Sequence, residues 1–187
     1  MAKTRIMLAD DHTLFRQGIR TLISAEADME VVGEASNGGD AVEKAAELRP
    51  DVVLMDIGMP GLSSFEATRQ IKKNRPETKV LFLTMYDDED YLVEGMEVGA
   101  SGYVLKDSPS AQLVAAVRDI CRGGSYLSPR MLSQLVDDFR PRGWWRAQHR
   151  HGRYIRQVAD ARKHRGPIQL TMLRIHRPDR AREVGSA

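Results

Sequence analysis

Short aliphatic runs alternate with stretches whose apolar residues recur every three or four positions, and the alternation repeats five times between Arg5 and Ile120. Arg5-Ile6-Met7-Leu8-Ala9 predicts a strand, after which Phe15, Ile19, Leu22 and Ile23 fall on one face of a helix. Glu30 to Ala35 predicts a second strand, followed by a helix through Ala41, Val42 and Ala45. Val52 to Met55 predicts a third, followed by a helix carrying Ala67 and Ile71. Val80 to Leu83 and Gly102 to Leu105 complete five strands, and the last helix presents Leu113, Val114, Val117 and Ile120. Such alternation favours a parallel sheet with helices on both faces, an α/β doubly wound fold.

After Gly123-Gly124, Ser128-Pro129 has the form of a helix start, with serine as N-cap and proline in the first turn. Met131, Leu132, Leu135, Val136 and Phe139 extend it as an apolar stripe, so residues 126–140 are expected as a linker helix. Beyond Pro141 the pattern degrades to one short helix, about Tyr154 to Lys163, without a core. Charge marks the same boundary. Residues 1–139 hold 15 Lys/Arg against 23 Asp/Glu, a net of −8, whereas residues 140–187 hold 13 Lys/Arg against Asp160, Asp179 and Glu183, a net of +10. Residues 141–187 therefore read as a poorly ordered basic tail.

No run approaches the roughly 18 apolar residues that a membrane span needs, and MAKTRIMLADD turns acidic too early for a signal peptide. These features lead to the expectation of a cytoplasmic protein with no membrane partner. The single cysteine, Cys121, falls in the helical pattern LVAAVRDIC and is expected to pack as a small hydrophobe.

In open parallel sheets, ligands sit beyond the carboxyl ends of the strands. The residues there are Asp10 and Asp11 after the first strand, Asp56 after the third, Thr84 after the fourth and Lys106 after the fifth. Any one of them could be a helix cap. Together they would put three carboxylates, a hydroxyl and an ammonium in one crevice. Crowded carboxylates need a cation, and Mg2+ suits oxygen ligands and shares its shell with phosphate. A carboxylate beside such a cation can attack phosphorus to give an aspartyl phosphate. Lys106 would then pair with a phosphate oxygen and Thr84 would donate to another.

The stretches LADDH, VVLMDIGMPGL, VLFLTMYDDE and GASGYVLKD resemble, in order and spacing, the motifs of bacterial two-component response regulators. The resemblance covers a receiver domain at residues 3–125 and implies a flavodoxin-like five-stranded sheet of order 2-1-3-4-5. It implies that Asp56 is the phosphoacceptor, that Asp11 is a direct and Asp10 an auxiliary metal ligand, and that the Gly58 backbone carbonyl completes a site for Mg2+. Thr84 becomes the switch hydroxyl, Tyr103 the switch aromatic that turns inward, and Lys106 the phosphate-binding lysine. DDHTLFRQGIRTLI, VVGEASNGGDAV and CRGGSYLSP are similar to the NarL/FixJ-type transcriptional regulators within that group. The implied partners are a sensor histidine kinase, a second copy in a homodimer, and DNA, and the implied role is that of a switch rather than a turnover enzyme.

Two stretches depart from that family's pattern. Ser63-Ser64 stands where Asn-Gly is usual, which predicts a reshaped loop after Asp56, since serine tolerates fewer backbone conformations than glycine. The 47 residues from Pro141 lack the motifs of the helix-turn-helix domain that should follow. The tail then reads as a disordered extension, a non-specific nucleic-acid binder using arginines with Trp144, Trp145 and Tyr154, or the product of a frame shift. Its histidines lack zinc-like spacing with cysteines. A stand-alone receiver or decoy that acts by protein–protein contact is the alternative function. A phosphohydrolase would want an acid two residues after Asp56, where Gly58 stands.

Overall fold

The structure, a computed structural model, describes residues 2–85, 89–129 and 131–132. The elements run β1 (Thr4–Ala9), α1 (Thr13–Ser24), β2 (Met29–Ala35), α2 (Gly38–Leu48), β3 (Val52–Asp56) and α3 (Ser64–Asn74). They continue with β4 (Lys79–Thr84), α4 (Glu89–Glu97), β5 (Gly102–Leu105), α5 (Ser110–Cys121) and β6 (Tyr126–Leu127). The sheet is parallel throughout, in the order β2-β1-β3-β4-β5-β6.

The alternating pleat of the strands divides the apolar residues into two cores. Met7, Ala9, Val53, Met55, Val80, Phe82, Tyr103 and Leu105 face one side, where Ala41 and Ala45 of α2, Phe65, Ala67 and Ile71 of α3, and Leu92 of α4 cover them. Ile6, Leu8, Val52, Leu54, Leu81, Leu83 and Val104 face the other, beneath Ile19 and Ile23 of α1 and Leu113, Val114, Val117 and Ile120 of α5. Strands buried on both faces read as continuous apolar runs, as all-parallel strands do.

The helices begin on side-chain caps where the sequence supplies them. Asn37 accepts from the Asp40 N–H at 2.9 Å at the start of α2, and Ser63 accepts from the Glu66 N–H at 3.2 Å at the start of α3. Each cap is worth about 1 kcal/mol against alanine.

β6 was not anticipated. Tyr126 and Leu127 pair with Gly102 and Tyr103 along the outer edge of β5, at residues expected to open the linker helix. Two residues are too few to register as a periodicity. A helical turn follows instead, with the Leu132 N–H donating to the Ser128 carbonyl at 3.0 Å. The remainder of the expected linker helix and the whole basic tail, including the helix expected at about Tyr154 to Lys163, lie outside the described residues. Cys121, expected as packing, is exposed at the end of α5. Among the described residues, no helix is long and apolar enough to cross a membrane.

Candidate functional site

Strand order decides which loops meet. β1 and β4 flank β3, and β5 lies beside β4, so the ends of β1, β3 and β5 open onto one crevice. Lys106, the residue after β5, reaches across it: its Nζ lies 2.7 Å from Asp10 Oδ2 and 3.0 Å from Asp56 Oδ2. All three side chains are buried, at 3–6% exposure. Asp10 Oδ2 makes no well-directed hydrogen bond despite that proximity, so this buried carboxylate oxygen keeps acceptor capacity.

Asp11 stands at the rim, about one-third exposed. The His12 backbone N–H donates to Asp10 Oδ1 at 2.8 Å, and the His12 ring Nδ1 lies 3.0 Å from Asp11 Oδ1. One ligand atom from each of Asp10, Asp11, His12 and Asp56 falls within 4.8 Å of all the others. Three carboxylates against one ammonium leave an excess of two negative charges, and hard oxygen donors at this spacing fit a divalent cation.

Burial pushes the Asp56 carboxyl above the usual carboxylate range. The Lys106 hydrogen bond opposes that shift and the neighbouring Asp10 charge adds to it. The Gly58 N–H donates to Asp56 Oδ1 at 3.3 Å. Thr84 ends β4, buried, with the parity of Val80 and Phe82, which directs it to the face that holds Tyr103. The Lys106 N–H donates to the Thr84 carbonyl at 2.7 Å and so joins the ends of β4 and β5.

Tyr103 is wholly buried. Its ring centroid is 5.1 Å from that of Phe82, and its hydroxyl donates to the Tyr91 carbonyl of α4. Phe65 continues the cluster, 5.3 Å from Phe82 and 5.9 Å from Tyr91. Burial raises the phenol well above its ordinary pKa, so it stays a neutral donor. Tyr103 thus points inward, beneath α4.

Three further residues shape the crevice. Arg16 on α1 donates to the Asp10 backbone carbonyl at 2.5 Å while its Nε pairs with Glu34 at 3.1 Å. Ser64, wholly buried, donates to the Asp56 carbonyl at 2.5 Å and lies 3.2 Å from the Ile57 carbonyl. Phe15 places its ring 4.6 Å from Lys106 Nζ. Periodicity marked Phe15 only as a helix-face residue, and nothing local to either sequence position signals the contact. Neither serine of Ser63-Ser64 takes the left-handed conformation: Ser63 has φ −59° as the helix cap, and the left-handed residue of that loop is Gly61, at φ 80°.

The model of the response regulator receiver domain family matches residues 6–118. The chain belongs to the response regulator receiver family. Its receiver is 45% identical over 136 residues to the oxygen regulatory protein NreC of Staphylococcus carnosus, covering 72% of this chain and 63% of that protein. It is 40% identical over 138 residues to the transcriptional regulatory protein DegU of Brevibacillus brevis, covering 74% of this chain and 58% of that one. The chain thus spans about three-fifths of the length of the relatives it matches. Among solved structures, a LuxR-family two-component response regulator from Aurantimonas sp. SI85-9A1 superposes with a TM-score of 0.70 at 37% identity, covering 73% of this chain and 98% of that one. The receiver domain of the putative response regulator NarL from Mycobacterium tuberculosis does so with 0.64 at 34%, covering 66% and 99%.

Proposed function

We propose that this receiver accepts a phosphoryl group on Asp56 from a sensor histidine kinase and thereby controls transcription, as the NarL/FixJ-type resemblance implies. The observation that carries the reading is the convergence of Asp10 and Asp56 on the Lys106 ammonium, at 2.7 and 3.0 Å, in one buried cluster. A buried ion cluster with surplus negative charge is a costly arrangement for stability alone, and its cost is understandable where the charges have chemistry to do.

Asp10, Asp11, Asp56 and the Gly58 carbonyl would hold Mg2+. When bound, the cation neutralises charge on the phosphoryl oxygens and on the attacking carboxylate. Asp56 attacks with one carboxylate oxygen: a bond from that oxygen to phosphorus forms, the phosphorus–nitrogen bond of the donor histidine breaks, and the electron pair leaves with the imidazole. Lys106 turns its ammonium from the carboxylates to a phosphoryl oxygen, and Thr84 donates its hydroxyl to another. Tyr103, on the same face as Thr84, then reports the displacement of Thr84 to α4 through the Phe82 and Tyr91 contacts. The state so favoured presents a different surface to a second copy of the chain or to an output module. Tyr126 and Leu127 stay with the receiver sheet as β6, and the basic segment from 141 adds charge suited to phosphate backbones.

Incubation with acetyl phosphate and Mg2+ tests the acceptor role. A base-labile phosphoryl adduct forms, and it fails to form when a chelator is present from the start or in Asp56→Ala. An adduct that persists in Asp56→Ala overturns the reading.

A further inference from the structure

We propose that Phe15 is a positioning residue for Lys106, holding the ammonium over the crevice by a cation–π contact. The inference rests on Lys106 serving the phosphoryl group, as argued above. Nζ stands 4.6 Å from the centroid of the Phe15 ring, inside the roughly 6 Å over which the ring quadrupole attracts a cation. The Lys106 side chain is 6% exposed. Water therefore screens the contact little, and cation–π attraction is strongest in such desolvated places.

The geometry gives the contact a task that the carboxylates cannot perform. Lys106 has two charged neighbours, Asp10 at 2.7 Å and Asp56 at 3.0 Å. Both are residues that a cation and the incoming phosphoryl group would claim. Phe15 competes for neither. Its ring remains a partner for the ammonium while the carboxylates exchange theirs, so a flexible four-carbon side chain stays aimed into the crevice where the phosphoryl oxygens would lie instead of spreading over its rotamers. The ring is half-buried, packed from α1 against the core face shared with α5.

Isothermal titration of the full chain with Mg2+ alone, then with beryllofluoride in the presence of Mg2+, separates this role from simple packing. Three variants are compared: Phe15→Leu, Phe15→Tyr, and 3,4,5-trifluorophenylalanine at position 15, which keeps the ring while stripping its negative face. Leucine and the trifluorinated ring weaken beryllofluoride binding about 2- to 30-fold, the range of a cation–π contact from exposed to desolvated. Tyrosine retains the affinity, and Mg2+ binding stays within about twofold throughout.

The inference is overturned if the trifluorinated ring binds beryllofluoride as wild type does. It is equally overturned if the Mg2+ and beryllofluoride affinities fall together, as general loss of packing would cause. Lys106→Ala isolates the underlying reading: unchanged beryllofluoride affinity there removes the role of Lys106 itself. A loss in Lys106→Ala with none in Phe15→Leu removes only the part assigned to Phe15.

Discussion

Gly95 on α4 faces Tyr103 so closely that a β-carbon there would lie 2.3 Å from the phenol oxygen and 2.6 and 2.9 Å from two ring carbons. Replacing glycine by alanine inside a helix ordinarily stabilises by about 1 kcal/mol. At this position the sign reverses. The Tyr103 ring is wholly buried, packed on Phe82 and hydrogen-bonded to the Tyr91 carbonyl, so it can yield only by leaving its pocket or by pushing α4 outward. Overpacking of this kind costs about 1–3 kcal/mol, which exceeds the helix gain. Gly95→Ala is therefore expected to lose up to about 2 kcal/mol in urea denaturation followed by circular dichroism. In a Tyr103→Ala background the obstacle is gone, and the same change should gain up to about 1 kcal/mol from helix propensity. The resulting coupling of about 1–3 kcal/mol is large for a double-mutant cycle. An equal effect in both backgrounds, or a stabilised single variant, would refute the claim that Gly95 makes the room that keeps Tyr103 inside.

The surplus negative charge of the crevice predicts that Mg2+ stabilises the fold: at ten times its dissociation constant the gain is about 1.4 kcal/mol, a rise of several degrees in Tm for a domain of this size, and an Asp56→Asn chain should gain much less. Ionised Asp56 is disfavoured by its burial, so its folded-state pKa lies above the unfolded one. Its contribution to stability is thus present at low pH and lost as pH rises through the folded value. Without divalent cations, Asp56→Asn should accordingly have the higher Tm at neutral pH, with the difference closing on acidification; a difference that widens in acid would contradict the assigned shift. Ser64→Ala leaves the buried Asp56 carbonyl without its hydroxyl donor and should cost about 1–3 kcal/mol in chemical denaturation, whereas an unchanged midpoint would show that the hydrogen bond contributes nothing net.

Much of this was legible in the sequence, for identifiable reasons. The five long strands are apolar runs bounded by polar residues, and the parallel rule then fixes where ligands bind, so Asp10, Asp56 and Lys106 could be gathered before any coordinate was known. They do meet: the Lys106 ammonium lies within 3.0 Å of an oxygen of each carboxylate. The remaining features depend on proximity without periodicity. β6 is two residues long and exists because β5 offers an open edge. Ser64 looked like a conformational liability, yet its hydroxyl donates to the Asp56 carbonyl and its backbone simply begins α3. Phe15 and Lys106 belong to different elements at opposite ends of the receiver, and only the folding of α1 over the crevice brings the ring to the ammonium. The inward placement of Tyr103 likewise follows from a missing side chain on α4, which no pattern around Tyr103 announces.

The central claim is that Asp56, and no other carboxylate of the crevice, receives the phosphoryl group. Borohydride reduces an aspartyl phosphate to homoserine, which peptide mass spectrometry locates by residue. After treatment of the wild-type chain with acetyl phosphate and Mg2+, homoserine should be found at position 56 and at neither position 10 nor position 11. Homoserine at either of those positions, or its absence from position 56 despite a phosphorylated chain, would contradict the account.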